Sequence, residues 1–346
     1  MAKKLILTGD VNFMNVADPA EPFRKILKEL HVADALFGNL ECCLHLPDDR
    51  HSHANEGFFA DPKVGGDGLR LARYDAVGIA NNVNYGTTNI LSSIARLDEA
   101  GVRHTGAGPN AAAARAPAII ERNGLRVGVL QRSSVYWPTD HEASADSPGI
   151  AVLRGHTAYQ VPQGRLHPGV PPPNRPGVPP VVVTWADPAY LAEFKADIAA
   201  LRPKVDVLVA SCHWGLGREH LQYMTEIGRG AIEAGADVVI GHGPHYSLPV
   251  EMHQGKPIYY GLGNLCFKQG HGGRVHANWL GMVAELSFDG GKCSGHNFRF
   301  VRHNDAYETI FRTPADEAEP LADLVARSKK CGATLTVDGD RIRVGA

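Results

Sequence analysis

With 346 residues, 44% of them hydrophobic, the chain carries enough apolar material for a sizeable core, and elaborated α/β folds reach this length as one unit. A net charge of −2 gives no sign of a broad basic surface, so no nucleic-acid partner is expected. No stretch approaches the roughly 18 apolar residues that span a bilayer, and six scattered cysteines with no C-x-x-C pair read as buried thiols of a reducing compartment, so a soluble, cytoplasmic protein with no membrane partner is expected.

Met1-Ala2-Lys3-Lys4 precedes only Leu5-Ile6-Leu7. This is too short for the apolar core of a signal peptide and predicts a first strand, Lys4–Leu7, ending at Gly9-Asp10-Val11-Asn12. A short amphipathic helix follows at Phe23–Leu30, then a strand at Ala35-Leu36-Phe37 ending at Gly38-Asn39-Leu40-Glu41. Cys42–Val64 reads as a polar loop excursion with His45, His51 and His53. A helix starts at Leu69–Ala72, and a third strand, Ala76–Ala80, ends at Asn81-Asn82-Val83-Asn84-Tyr85-Gly86. Ile90, Leu91, Ile94 and Leu97 share a face of an Ile90–Ala100 helix closed by Gly101. Arg126–Leu130 is a further strand.

Residues 161–180 are rich in proline and glycine, which rules out helix or central strand and leaves a disordered linker or an ordered lid; an ordered insertion is favoured because Val181–Thr184 at once resumes a strand. Pro188–Leu201 is helical. The β-branched run Val205–Ala210 then predicts a doubly buried strand ending at Cys212-His213-Trp214-Gly215. Thr225–Ala234 is helical, and Val238–Ile240 is the next buried strand, ending at Gly241-His242-Gly243-Pro244-His245. Pro257–Tyr260 leads to Gly261-Leu262-Gly263-Asn264. A hairpin over Met282–Phe288 and Asn297–Val301 turns at Asp289-Gly290, a helix spans Glu319–Ser328, and a last hairpin joins Thr334–Val337 to Arg341–Val344.

Successive strand ends thus present Asp10 with Asn12, Asn39 with Glu41, Asn82, His213, and His242 with His245. In open α/β sheets these ends form the ligand edge. Carboxylate, carboxamide and imidazole are the groups that hold divalent transition metals. Two ions about 4 Å apart, with Asp10 or Glu41 bridging, could hold a hydroxide and clamp both oxygens of a hydrolysed ester or amide.

Gly9-Asp10, Asn39-Leu40-Glu41, Ala80-Asn81-Asn82 with Tyr85-Gly86, Leu97–Gly108, His213-Trp214-Gly215, Gly235–His245 and Tyr260–Phe267 together resemble the CapA group, the poly-γ-glutamate capsule synthesis proteins, a branch of the calcineurin-like metallophosphoesterase superfamily. The resemblance runs from Lys4 to about Phe267. It implies a four-layer α/β/β/α sandwich, here with C-terminal β-hairpins, and Asp10, Glu41, Asn82, His213, His242 and His245 as ligands, with Asn12 in the place of the superfamily's second motif residue. The family pattern A-N-N-H-x-x-D-Y-G departs at Val83, where its leaving-group histidine is replaced, and at Asn84, and the turn is two residues shorter.

The resulting expectation is one main unit over 1–310 with a C-terminal helix and hairpin, 311–346, packed on it. Its function would be that of a metal-dependent, dinuclear hydrolase holding Mn, Fe, Zn or Co. A metal-bound hydroxide would attack a phosphoester or an amide or γ-glutamyl-type bond of a small soluble substrate. His220, Glu219, His45 or His53 would supply the proton that Val83 cannot, and Asn39, Asn81, Arg218 and Asn264 would bind substrate. A homo-oligomer is compatible with this reading. Two alternatives share the site: a non-catalytic protein binding an acidic polymer or small anion, and a lyase or isomerase working through an enolate-like intermediate.

Overall fold

Alternation along the strands sorts the apolar side chains into three buried clusters, and these define the layers. The computed structural model describes residues 2–47, 58–161, 177–269, 279–289 and 292–346. Among them, a ten-stranded sheet has Lys3–Val11 near its middle, parallel to Ala35–Leu40 on one side and antiparallel to Gly281–Asp289 on the other. A six-stranded sheet has Val207–His213 between the parallel strands Leu125–Ser133 and Val238–His242.

Leu5, Leu7, Phe37 and Ala76 of the first sheet meet Val127, Val129, Val207, Val209, Val238 and Ile240 of the second in one cluster. The alternate residues Ile6, Leu36 and Val77 pack outward against Leu69, Ile90 and Leu97, carried by the helices Pro62–Ala72 and Thr87–Ala100. Leu208, Ala210 and Val239 pack outward against Phe194, Ile198 and Ile227, carried by Pro188–Leu201 and Gln222–Ala234. The order is therefore helices, sheet, sheet, helices, an α/β fold in four layers. Each fully buried Leu, Ile or Val side chain contributes about 1.5–3 kcal/mol relative to exposure.

Several elements differ from expectation. Phe23–Leu30 is helical only at Leu27–Leu30, because Phe23 N–H bonds Ala20 O (3.1 Å) and Ile26 N–H bonds Phe23 O (2.8 Å) in tight i→i+3 turns. The Cys42–Val64 excursion contains short parallel strands at Cys43–Leu44 and Phe59–Ala60 and the start of the Pro62–Ala72 helix, capped by Asp61. His51 and His53 lie outside the described residues. Gly155–Gln160 pairs antiparallel with Val181–Ala186 across the proline-rich segment, of which 162–176 lie outside the described residues. The Asp289-Gly290 turn falls partly outside them too, but the strands it joins, Gly281–Asp289 and Lys292–His303, are paired antiparallel. The last hairpin, Thr334–Asp338 with Arg341–Gly345, extends the ten-stranded sheet through Arg343 opposite Asn297. No helix among the described residues is long and apolar enough to cross a membrane.

Candidate metal centre

Each central strand carries apolar residues along its first half and polar ones at its C-terminal end, on the face between the sheets. In the second sheet Val127 and Val129 give way to Gln131, Val207 and Val209 to Ser211 and His213, and Val238 and Ile240 to His242. In the first sheet Ala35 and Phe37 give way to Asn39 and Glu41 in the same period of two. Asp10 stands at odd spacing from Leu7, so regular alternation would aim it at the helices. The pairing with Ala35–Leu40 shifts register between Leu7 and Asp10, which reverses the alternation and turns Asp10 inward while Val11 joins the helix-side cluster. Gly9 permits this close approach: a Cβ there would lie 2.0 Å from Gly263 O.

The two sheets thereby bring their donors together. His242 Nδ1 lies 3.2 Å from Asp10 Oδ1, His245 Nδ1 3.2 Å from Asp10 Oδ2, and His245 Nε2 3.6 Å from Glu41 Oε1. Asp10, Glu41 and His245 each offer an atom within 4.8 Å of the others. His213 Nε2 donates to Asn82 Oδ1 (2.8 Å), and His213 stands directly beside His242 in the parallel register. His245 has φ of 61°, a left-handed conformation uncommon outside glycine, which lets the turn after Gly243 fold it back over Asp10.

The electrostatics follow from burial and crowding. Burial alone would raise the Asp10 carboxyl, but the adjoining imidazoles of His242 and His245 hold it far below the usual carboxylate range. Glu41 is pushed well up by burial and by the charge on Asp10. His213 is pushed down to about 3 by burial, and His245 is raised to about 9 because Glu41 and Asp10 outweigh its burial. The donor set fits a divalent ion on independent geometric grounds. Nε2 of His242 and Nδ1 of His213 are buried without a hydrogen-bond partner, and Nδ1 of His242 has only Asp10 Oδ1 at 3.2 Å, a costly arrangement unless something else binds them.

Other expected site residues occupy different places. Asn12, read as a ligand, has its amide committed to backbone: Nδ2 donates to Glu41 O (2.9 Å) and Oδ1 accepts from Met14 N (2.7 Å). Asn39, read as substrate-binding, is buried and donates from Nδ2 to both Asp10 Oδ1 (2.9 Å) and Glu41 Oε2 (3.1 Å), so it orients the carboxylates. Asn81 is buried with Nδ2 on Leu40 O and Oδ1 on Asn84 N, and Asn264 accepts from His245 Nδ1 at 2.9 Å. None of the three presents an exposed group to a substrate. His220 stacks on Tyr260, 3.9 Å between centroids, with its nitrogens facing Thr225 Oγ1 and Cys331 Sγ. Glu219 is exposed on the preceding loop, and His45 packs edge-on to Phe59. Arg218 is exposed over the ring of Tyr246, the residue after His245.

Two contributors escaped the sequence reading. Gln131 is fully buried; Nε2 donates to Asn39 Oδ1 (3.0 Å) and Oε1 accepts from Ala80 N (2.6 Å), tying the sheets together under the carboxylates. Its room comes from Gly78, where a Cβ would lie 2.3 Å from the Gln131 amide. The strand-end rule applied to the polar run after Leu130 would have found it. His141 is the second. It accepts from Trp137 N–H at Nδ1 (3.0 Å) and donates from Nε2 to Asn84 O (3.1 Å), bracing the turn that carries Asn82 and Val83.

That bonding pattern requires neutral His141, and burial pushes its pKa down to about 4. Unfolded histidine titrates near 6.5, so between about 6.5 and 4 the unfolded chain binds more protons. Stability is full above the upper value and falls toward the lower one, by on the order of 3 kcal/mol. Urea unfolding followed from pH 7 to 4.5 should show His141→Gln lacking this component; parallel profiles for variant and parent would refute it.

The fold and site define a two-sheet α/β chain whose carboxylates and imidazoles converge at its strand ends, the donor set of a divalent metal. A family model described as Bacterial capsule synthesis protein PGA_cap matches residues 4–269, and the chain belongs to that family. Similar curated proteins include an uncharacterized protein of Sinorhizobium fredii, 25% identical over 76% of this chain and 66% of its own length. A probable polyglutamine synthesis accessory protein of Mycobacterium tuberculosis is 28% identical over 57% of this chain and 46% of its own. The PGA biosynthesis protein CapA of Bacillus subtilis is 35% identical over 28% of this chain and 24% of its own. The matches therefore span at most about two thirds of these relatives' length. Among solved structures, a hypothetical protein of Thermus thermophilus aligns over 86% of this chain and 98% of its own at 12% identity and TM-score 0.49. A phosphatase of Mycoplasma pneumoniae aligns over 94% and 99%, at 12% identity and TM-score 0.47.

Proposed function

We propose that the chain is a metal-dependent hydrolase with two divalent ions. Asp10, Glu41 and His245 would hold one, and Asn82, His213 and His242 the other. The observation that carries this reading is the set of buried imidazole nitrogens without partners, on one sheet, facing buried carboxylates on the other. When bound, the ions would supply an activated water and neutralise charge building on the oxygens of the cleaved bond. The residues of this chain do the rest. Asn39 and Gln131 hold the carboxylates in orientation, Asn264 fixes the His245 ring, and the His141 brace sets the Asn82 turn.

Proton supply to the leaving group separates the substrate classes. Val83 stands where the family pattern has its histidine. His141 beside it has both nitrogens committed, and His220 is turned into the Tyr260 stack. Among the described residues, neither of these two histidines is free to act as the acid, which favours bonds whose leaving group departs without one, such as phosphoesters of acidic alcohols and activated acyl bonds, including γ-glutamyl ones. The relatives named for polyglutamine and PGA biosynthesis favour the γ-glutamyl class, and a small soluble substrate is proposed. Val83 also supports a second reading, a non-catalytic module that binds an acidic polymer or small anion at this site.

Metal analysis of the purified chain should return about two equivalents of Mn, Fe, Zn or Co. The loaded protein should hydrolyse members of a panel of phosphoesters, amides, lactones and γ-glutamyl compounds, aryl esters faster than alkyl esters. No bound metal and no turnover would favour the non-catalytic module; bound metal without turnover of any member would sink the hydrolase reading.

A further inference from the structure

Resting on the hydrolase reading, we propose that Arg218 is the receptor for an oxyanion, carboxylate or phosphate, carried by the substrate beside the cleaved bond. The C-terminal helix Ala318–Lys330, beyond the residues matched by the family model, holds it in place. The guanidinium lies 4.7 Å over the ring centroid of Tyr246, which directly follows His245 of the Asp10–Glu41–His245 cluster. It is exposed and, among the described residues, has no carboxylate within ion-pair distance, whereas most arginines of this chain are paired with an acid. A planar fork of donors with no internal acid is matched to a two-oxygen or tetrahedral anion.

The surrounding loop is fixed before any ligand arrives. Gly215 N–H donates to Tyr223 Oη (2.7 Å), Arg327 Nη2 donates to Arg218 O (2.8 Å), and His220 is held by Tyr260, Thr225 and Cys331. Arg327 itself is kept on the helix by Asp323, four residues earlier. A cation whose backbone is tied from a separate element loses little further freedom on binding. His220 thereby acquires a role that needs no proton transfer: it is one of the pins of the Arg218 loop.

The test is calorimetric titration of the metal-loaded protein with succinate and, separately, with inorganic phosphate, compared with succinamide. Arg218→Ala should weaken the preferred anion by about tenfold or more at unchanged metal content, with Arg218→Lys intermediate and no effect on succinamide. Arg327→Ala should weaken it less, through the loop. A larger loss for succinate assigns a carboxylate, and a larger loss for phosphate assigns a phosphate. Equal affinity in parent and Arg218→Ala, or no binding of either anion by the parent, overturns the proposal. Because the readout is binding, a protein that hydrolyses nothing yet loses anion affinity on Arg218→Ala would sink the hydrolase reading while keeping Arg218 as the anion receptor of a binding module.

Discussion

Replacing His242 by alanine should strip metal from the chain while leaving the fold nearly as stable as before. The imidazole is fully buried, Nε2 has no partner, and Nδ1 has only Asp10 Oδ1 at 3.2 Å, a carboxylate that Asn39 and His245 also hold. Its loss leaves a cavity and removes that contact, and relief of the buried unpartnered Nε2 offsets part of the cost. Thermal unfolding of the metal-free variant should fall within a few degrees of the metal-free parent, while metal affinity drops by more than about 100-fold, beyond the loss typical of a merely orienting residue. Competition with a chromogenic chelator measures the second quantity. A histidine kept for packing would show the reverse: large destabilisation and intact metal binding.

Gln131→Ala is expected to do damage of the other kind. It removes the donor to Asn39 Oδ1 and the acceptor for Ala80 N–H, both buried, and opens a void beside Gly78. The cost should be about 2–4 kcal/mol in denaturant unfolding. Asn39, freed on one side, would hold Asp10 and Glu41 less firmly, so metal affinity should also fall, by about 10-fold or more. Unchanged stability would mean that Gln131 is not the tie between the sheets.

Much of this centre was legible in the sequence because strands that are apolar along their length and polar at their ends announce a ligand edge. Asp10, Glu41, His213, His242 and His245 were all found at such ends, and the structure gathers them. Position along the chain does not tell a donor aimed at the centre from one aimed beside it. Asn12, Asn39 and Asn81 stand at strand ends too, but their amides are consumed by backbone and by neighbouring side chains, a matter of pairing in three dimensions and not of spacing. Nor does it reveal the register shift that turns Asp10 inward, since that depends on Gly9 meeting Gly263 across the sequence. His141 was invisible for a plainer reason: it lies in an irregular stretch, and its partners are backbone atoms of the Val83–Asn84 turn and of Trp137. The Thr309–Arg312 strand, four residues long at the side of Lys292–His303, carries too short a pattern to read.

Because one sheet supplies the carboxylates and the other the imidazoles, neither half on its own can capture a cation. Coordination would have to wait until segments about 200 residues apart in the chain have met, the slowest kind of event in chain collapse. During refolding, then, cobalt absorption should emerge after the far-ultraviolet signal has already returned, and the bound ion would act as a lock closed last, not as a seed around which the protein condenses.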